Sequence, residues 1–313
     1  MQFRRLGQTG LEVSILSYGA SALGSVFRDI RPEEGIRTVH ETIDRGVNLI
    51  DVSPYYGLTK AETVLGQALA ELPRDRYLLS SKAGRYGADE FDFSEQRIIR
   101  SVEESLFRLG TDYLDILLLH DIEFVPFSQI EEGFAALDKL KEQGKIRFHG
   151  VSGLPLPALE KALRAKALDV VLSYCHYSLN DNTLLGLLPF IKQRGTGLIN
   201  ASPLSMGLLG TRGTADWHPA AEEIKTVCKR AALFCEQQGT PIAKLAVQYS
   251  TSRPDIPTTL VSTANPDNMM QNIQWLEEPL DEQLLCAVME ILAPVHNRTW
   301  SSGLREYNEE LQL

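Results

Sequence analysis

The feature of this chain that most restricts its fold is a repeated alternation of short apolar runs with amphipathic segments. The runs favour parallel strands, because a strand that is buried on both faces is apolar throughout. Eight such runs lie at 15–19, 49–51, 77–81, 114–119, 146–151, 170–174, 197–201 and 259–262. Between them, apolar residues spaced by three and four predict helices, for example at 36–43, 98–109, 130–140, 156–163 and 184–191. Eight strands with crossover helices favour a closed parallel barrel.

Several segments fall outside this repeat. They are a hairpin predicted over 3–6 and 11–14, and helices at 220–238 and 282–292 that we expect as additions. The polar tail at 297–313 is expected to cross one mouth of the barrel as a loop. Because no Ser/Gly-rich linker interrupts the chain, we predict one domain over residues 1–313. The predicted fold class is α/β: a (β/α)8 TIM barrel with an N-terminal β-hairpin and extra helices.

Charge and cysteine content narrow the classes of partner and compartment. The chain has 31 Lys+Arg against 41 Asp+Glu, a net charge of −10, which argues against nucleic-acid and membrane-surface partners. The 4 cysteines form no CxxC pair, which is typical of reduced thiols in a cytoplasmic protein. Cys175 and His176 are adjacent, but no second ligand pair has metal-site spacing, so no metal is expected.

Motifs of other nucleotide-binding and hydrolytic folds are missing from the sequence. A Rossmann GxGxxG fingerprint would follow the first strand, where residues 19–24 read Gly-Ala-Ser-Ala-Leu-Gly instead. There is also no GxxxxGK[ST], HExxH or GxSxG sequence. These absences exclude P-loop NTPases, zincins and α/β-hydrolases.

Four polar residues stand at consecutive strand ends, where the active site of such a barrel lies. Asp51 ends the second predicted strand, Tyr56 lies in the loop after it, Lys82 follows the third and His120 follows the fourth. A lysine ammonium near a phenol is expected to lower the phenol pKa from about 10 toward working pH. Asp51 would hold Lys82, and His120 would contact the same substrate oxygen as the phenol. This set predicts general acid/base chemistry at an oxygen on a carbon that exchanges hydride.

In order and spacing, these residues resemble the catalytic tetrad of the aldo-keto reductase superfamily. The resemblance covers nearly the whole chain and includes segments 6–14, 150–153 and 201–209. Within the superfamily, the chain resembles the aldose 1-dehydrogenases that act on L-galactose, L-fucose and D-threo-aldoses. The segments that carry this closer resemblance are 84–86, 91–94, 120–124, 173–177, 183–189, 217–220 and 299–303.

The resemblance implies a role for each site residue. Tyr56 is the expected acid/base, Lys82 and Asp51 tune it, and His120 orients the substrate, with Asp121 as a further sugar contact. The implied cofactor-binding residues are Gly19, Ala20, Asp51, Ser152, Ser173, Ser202, Leu204, Ser262, Asn268, Gln271 and Asn272. Of the usual nicotinamide contacts, Ser152 matches the serine, whereas Gly153 replaces the asparagine, Ser173 or Leu172 the glutamine, and Ala201 the stacking tyrosine.

The predicted cofactor is NAD rather than NADP. Relatives that prefer NADP place cations around its 2′-phosphate, whereas Ser262 and Asn268 stand at those positions here and Asp267 is anionic. A phosphate without a cation and beside a carboxylate would be unfavourable, while a 2′-hydroxyl can bond to Asn or Ser.

The resemblance therefore implies an NAD-dependent dehydrogenase that oxidises L-galactose or L-fucose at C1 to the aldonolactone. Two alternatives stay open: an NADPH-dependent reductase of small aldehydes or ketones, and a catalytically silent cofactor-binding subunit. The expected partner is a small sugar, with no nucleic acid and no membrane. Monomer and homodimer are both compatible with the sequence.

Overall fold

The computed structural model describes residues 1–26, 28–211 and 213–308. Its strands are β1 (Phe3–Arg5), β2 (Glu12–Ser14), β3 (Leu16–Gly19), β4 (Leu49–Asp51), β5 (Leu78–Ala83), β6 (Leu114–Leu119), β7 (Ile146–Gly153), β8 (Val170–Tyr174), β9 (Gly197–Ala201) and β10 (Thr258–Ser262). Its α-helices are α1 (Pro32–Asp44), α2 (Lys60–Leu69), α3 (Glu95–Leu109), α4 (Phe127–Glu142), α5 (Leu156–Ala165), α6 (Leu184–Arg194), α7 (Glu222–Gln237), α8 (Ile242–Ser252), α9 (Pro266–Trp275) and α10 (Glu282–Leu292).

Strands β3 to β10 form a closed parallel barrel, as the alternating pattern predicts. They pair in chain order, and β10 closes the barrel by pairing with β3. Two strands run further than expected, because Lys82 pairs with Leu118 and Ser152 pairs with Leu172. The expected ends of β5 at 81 and β7 at 151 were therefore wrong, and Lys82 and Ser152 lie within strands rather than after them.

Alternation along each strand separates the barrel interior from the helix-facing side. The interior cluster includes Leu49, Ile116, Leu118, Val170, Leu172, Ile199 and Leu260. Their strand neighbours join the core under the surrounding helices, as do Ile50, Leu117, Val171, Leu198 and Val261. Successive side chains point to opposite faces of the barrel wall. Counting every second residue from the interior cluster therefore identifies which residue at the carboxyl end of each strand faces the mouth.

The amino-terminal hairpin covers the end of the barrel opposite the active-site mouth. Strands β1 and β2 pair antiparallel, and Leu6, Leu11 and Val13 join the interior cluster. The turn lies directly on the start of β9: a Cβ at Gly7 would stand 2.4 Å from the backbone nitrogen of Gly197. Since Gly7 also has φ of +55°, this close approach requires glycine.

The additional helices and the tail lie outside the barrel proper. Helices α7 and α10 pack against each other around a separate apolar cluster, as expected for additions. The described part of the tail reaches the loop after β6, where Leu304 donates to the Glu123 carbonyl at 2.8 Å and Tyr307 to the Val125 carbonyl at 3.1 Å. Residues 309–313 of the predicted tail lie outside the described residues. Among the described helices, none combines the length and apolarity needed to span a bilayer.

Candidate active site

The carboxyl ends of the barrel strands present one ring of side chains to the mouth. Strand alternation assigns one inward residue to the end of each strand, or to the position directly after it. These residues are Gly19, Asp51, Lys82, His120, Ser152, Tyr174, Ala201 and Ser262. Three of the four predicted catalytic residues are therefore neighbours in the ring, on consecutive strands.

Asp51 and Lys82 form a buried ion pair at the base of the mouth. The Lys82 ammonium donates to Asp51 Oδ1 and, at 2.9 Å, to the Val52 carbonyl. Ser80 donates to the other carboxylate oxygen of Asp51 at 2.8 Å. The side chains of Lys82 and Asp51 are only 2% and 4% exposed, so the charges must compensate each other. Burial lowers the pKa of Lys82, but Asp51 and Tyr56 outweigh it, and Lys82 stays charged.

Tyr56 lies above this pair, on a loop that small residues fix in place. The Lys82 ammonium is 4.9 Å from the centre of the Tyr56 ring. A Cβ at Gly57 would stand 2.1 Å from the Gly24 carbonyl oxygen, and Gly57 has φ of +61°. Only glycine permits this contact, which holds the loop against the short 3₁₀ helix Ala20–Gly24.

The acidity of Tyr56 differs from the sequence-based expectation. The pKa of Tyr56 is raised to about 12, chiefly by burial, with Lys82 opposing the rise and Asp51 and Asp121 adding to it. Lys82 therefore acts in the predicted direction, but burial has the larger effect. The expected lowering of the phenol pKa from about 10 toward working pH is outweighed, and the net pKa is raised instead.

His120 is a neutral imidazole whose ring orientation is fixed by Ser53. Burial lowers the pKa of His120 to about 3, with nearby cations adding to this and Asp121 opposing it. Ser53 Oγ accepts from the Tyr55 amide at 3.1 Å and lies 3.0 Å from His120 Nδ1. The Asp121 carboxylate oxygen lies 3.6 Å from Nε2 and favours a proton there, because a ring lone pair would otherwise face a carboxylate; the Ser53 hydroxyl then donates to Nδ1. The rings of His120 and Tyr56 meet edge to face at 5.6 Å.

A second ion pair lies beside His120 on the wall of the mouth. Arg85 Nη1 donates to Asp121 Oδ2 at 2.6 Å, and that oxygen lies 3.6 Å from His120 Nε2. Arg85 Nη2 donates to the Tyr55 hydroxyl at 3.1 Å. Burial lowers the pKa of Arg85, but Asp121 raises it more, so the pair stays charged. Asp121 thus lies next to the catalytic residues, where a substrate contact is expected.

The expected adenosine and ribose contacts lie on one side of the mouth. Gly19 and Ala20 are buried at the end of β3, and Ser262 is exposed at the end of β10. Ser262 Oγ accepts from the Ala22 amide at 3.2 Å and lies 2.8 Å from Ser21 Oγ, which ties the two strand ends together.

Helix α9 begins directly after this edge of the mouth. Asn265 caps it by accepting from the Asp267 amide at 2.9 Å. Asn268, Gln271 and Asn272 follow at three- and four-residue spacing and therefore share one polar face.

The loop after β9 is a tight turn that contains several left-handed residues. Ser202 has φ of +58°, and Ser205, Met206 and Gly207 are successive left-handed residues with φ of +47°, +54° and +102°. The amides of Ser205 and Gly207 donate to the carbonyls of Ser202 and Leu204 at 2.8 and 3.0 Å, so the turn is held by its own backbone hydrogen bonds. The pyrophosphate contact expected of Ser202 and Leu204 stays a prediction.

The two residues expected to contact the nicotinamide from β7 and β8 point to opposite faces of the barrel wall. Ser152 faces the mouth and lies 3.3 Å from the Leu119 carbonyl. Ser173 is fully buried, has no hydrogen-bond partner for Oγ among the described residues, and by alternation faces the helices. Its neighbour Tyr174 is partly exposed and packs against the interior cluster, so Tyr174 is the β8 residue at the mouth.

Comparison with known proteins agrees with this geometry. The model of the Aldo/keto reductase family matches residues 15–293. An L-galactose dehydrogenase from Arabidopsis thaliana is 45% identical over 98% of this chain and 99% of its own length. A D-arabinose 1-dehydrogenase from Saccharomyces cerevisiae is 37% identical over 77% of this chain and 76% of its own. The holo form of an aldo-keto reductase from Bacillus halodurans superposes with a TM-score of 0.78 at 25% identity, over 99% of this chain and 100% of that one.

A closed eight-stranded barrel with a Tyr, Lys, Asp and His set at one mouth defines a class of oxidoreductase. With a family model matching nearly the whole barrel, this chain belongs to the aldo/keto reductase family. The sequence-based identification of the family is confirmed.

Sequence reasoning did not single out Ser53, Tyr55, Arg85 and Tyr174. Tyr174 could have been found by counting alternate residues from Leu172 in β8. Arg85 lies in the loop after β5 and pairs with Asp121 in the loop after β6. A contact between two loops cannot be predicted from a local sequence pattern. Ser53 and Tyr55 are adjacent to the predicted acid/base, but their contacts depend on the fold of the loop after β4.

Proposed function

We propose that this chain is an NAD-dependent aldose 1-dehydrogenase, with L-galactose or L-fucose as its substrate and the aldonolactone as product. The observation that carries the proposal is the convergence of Tyr56, Lys82, Asp51 and His120 at one mouth of the barrel. The aldose dehydrogenases among the relatives support the substrate class, and the one for L-galactose aligns over nearly its full length.

The reaction follows from what each side chain can donate or accept. His120, neutral with a proton on Nε2, donates a hydrogen bond to the C1 oxygen of the sugar and orients it. Tyr56, as phenolate, takes the proton from that hydroxyl, and Lys82 stabilises the negative charge while Asp51 holds Lys82 in place. When bound, an oxidised nicotinamide would supply the acceptor for the C1 hydride, and its positive charge would lower the phenol pKa. Loss of the proton and the hydride leaves the C1 carbonyl of the lactone.

The charge around α9 supports NAD as the cofactor. Ser262 and Asn268 are neutral, and the Asp267 side chain adds a negative charge at the helix start. The charge of Asp267 acts on Arg37, a cation on α1. The Arg37 guanidinium already pairs with Glu41 at 2.6 Å and is therefore not available to a phosphate. The pKa of Arg37 is raised first by Glu41 and less by Asp267. A 2′-phosphate at this position would therefore lie near a negative side chain without an unpaired cation named above to balance it.

Initial-rate measurements with a panel of aldoses test this function. The panel contains L-galactose, L-fucose, D-arabinose, L-glucose, D-galactose and D-glucose, each with NAD and with NADP at mildly alkaline pH. We expect L-galactose and L-fucose with NAD to give the highest kcat/KM. No turnover of any aldose, together with NADPH-dependent reduction of simple aldehydes, would identify a general carbonyl reductase instead. Tight cofactor binding without any turnover would indicate a silent cofactor-binding subunit.

A further inference from the structure

We propose that Arg85 and Asp121 act together as the specificity-determining pair of the pocket and bind the hydroxyl on the carbon next to the reacting one. This inference rests on the proposed function and names the part of an aldose that the pocket recognises. For an aldose oxidised at C1, the recognised group is the hydroxyl at C2.

The first observation is that three aromatic rings hold the Arg85 guanidinium in place at the mouth. Its guanidinium lies 4.0 Å from the ring centre of Tyr55, 5.1 Å from that of Phe91 and 5.0 Å from that of Phe124. Phe91 and Phe124 stack on each other at 4.8 Å. The Arg85 side chain is 14% exposed and the Asp121 side chain 7%, so both stay within reach of a ligand in the mouth while most water is excluded. Polar groups fixed in this way need little reordering when a ligand binds.

The second observation is that the pair has free hydrogen-bonding capacity on each partner. Asp121 Oδ2 accepts from Arg85, and among the described residues no side-chain or backbone hydrogen bond reaches Oδ1. Arg85 Nη1 carries two hydrogens, and Asp121 uses one of them. The pair therefore offers one free acceptor and one free donor side by side. A hydroxyl group, which both donates and accepts, matches this combination.

The third observation is the distance to the reacting oxygen. Asp121 Oδ2 lies 3.6 Å from His120 Nε2, the atom that orients the C1 oxygen. The polar groups of a pyranose next to C1 are the ring oxygen and the C2 hydroxyl. A carboxylate can only accept hydrogen bonds, and the ring oxygen has no hydrogen to give. The C2 hydroxyl is therefore the group that Asp121 selects, with Arg85 as its donor.

The backbone of Asp121 agrees with a functional role for this residue. Asp121 has φ of +52°, a left-handed conformation that a non-glycine residue adopts at some cost. This conformation turns the carboxylate back toward His120 and Arg85. Tyr174 faces the pair from β8, and burial, followed by the Asp121 charge, raises the pKa of that phenol.

A cycle that removes the hydroxyl and the arginine separately tests the proposal. The wild-type enzyme and Arg85→Met are compared on L-galactose and on 2-deoxy-L-galactose, with kcat/KM as the readout. We expect the wild type to lose about 100-fold on the deoxy sugar, which is the scale of a hydrogen bond to a charged group. Arg85→Met should lose about 30- to 100-fold on L-galactose but less than about 3-fold on the deoxy sugar.

Two further variants keep the result interpretable. Arg85→Lys retains the positive charge beside Asp121, so it should fold. Because it lacks the planar guanidinium, it should discriminate between the two sugars as poorly as Arg85→Met. Arg97→Met is the matched control, because Arg97 also lies over an aromatic ring, 3.7 Å from the centre of Tyr86, but pairs with Glu104 instead. It should leave both kcat/KM values unchanged.

The possible outcomes separate this inference from the proposed function. If Arg85→Met lowers kcat/KM by the same factor on both sugars, or if the wild type oxidises both equally well, Arg85 and Asp121 do not recognise the C2 hydroxyl and the proposed function still holds. If the wild type oxidises neither of these sugars nor L-fucose, the proposed function itself fails and this inference fails with it.

Discussion

At the scale of single residues, the acidity of Tyr56 determines how the rate of oxidation depends on pH. Burial raises its pKa to about 12, against the opposing charge of Lys82. Oxidation uses the phenolate, whose fraction grows tenfold per pH unit below the apparent pKa. The kcat/KM for oxidation should therefore rise with pH, and a flat profile from about pH 6 to 10 would contradict Tyr56 as the base.

Replacing Tyr56 by Phe removes the proton acceptor while keeping the ring and its packing. We expect kcat to fall by about 10³-fold or more, because general base catalysis contributes about 10²–10⁴. The Kd for NAD, measured by quenching of protein fluorescence, should change by less than about 3-fold. An active Phe variant would remove Tyr56 from the mechanism.

His120 should remain neutral throughout the working range, with its proton on Nε2. The pKa of His120 is lowered to about 3, so no ionisation of this residue should appear in activity between about pH 5 and 8. The ¹⁵N chemical shifts of the His120 ring should report the Nε2–H tautomer in the wild type. Ser53→Ala removes the donor to Nδ1 and should mix the two tautomers and lower kcat. A pure Nδ1–H tautomer in the wild type would reverse the assigned role of the imidazole.

At the scale of elements, the tail is linked to the loop after β6 through a buried carboxyl group. Glu123 Oε1 accepts from the Leu154 amide at 3.1 Å and from Ser302 at 2.9 Å, while Oε2 has no partner among the described residues. Burial, and then the charge of Asp121, raise the pKa of Glu123 from 4.5 to about 8. In the unfolded chain this group ionises near pH 4.5, whereas in the folded chain it stays protonated up to about pH 8.

The free energy of unfolding should therefore decrease by up to about 1.4 kcal/mol per pH unit across this window. Glu123→Gln cannot ionise and should remove this contribution, so that its Tm exceeds that of the wild type at pH 9 but not at pH 4.5. Glu142→Gln, at an exposed position of α4, is the control and should follow the wild type. Parallel Tm profiles of wild type and Glu123→Gln would show that Glu123 ionises normally in the folded protein.

Helix α9 should determine the choice between the two dinucleotides. Changing Asn268 to Arg and Asp267 to Asn adds a cation and removes an anion where the 2′-phosphate is expected. A charge-assisted hydrogen bond of this kind should raise kcat/KM with NADP by about 10- to 100-fold. The comparison is made with the same sugar and both cofactors. A wild type that already prefers NADP would contradict the charge argument.

At the scale of the whole molecule, the repeat of strands and helices could be predicted from the sequence because burial dictates it. A parallel strand covered on both sides needs apolar residues, and all eight barrel strands carry that signal. The carboxyl ends of β5 and β7 were missed because polar Lys82 and Ser152 follow the apolar runs yet still pair with a neighbouring strand. Strand ends at an active site are polar for chemical reasons, which hides them from an apolar pattern.

The candidate site was predictable where it depends on strand ends and not where it depends on loops. Asp51, Lys82 and His120 are placed by strand order alone, so their convergence follows from the barrel. The contact of Arg85 with Asp121 and that of Ser53 with His120 depend on loop conformations. The pKa of Tyr56 depends on how far burial outweighs the charge of Lys82. The extent of burial cannot be obtained from the spacing of residues in the sequence.

The central claim is that the hydride leaves C1 of an aldose, and L-galactose deuterated at C1 tests it most directly. The reduced cofactor is isolated after turnover with NAD, and its deuterium content is measured by mass spectrometry. The account predicts one deuterium atom per reduced nicotinamide, and none when the label is at C3 instead. Reduced cofactor without deuterium from the C1-labelled sugar would contradict oxidation at C1 and the mechanism built on Tyr56.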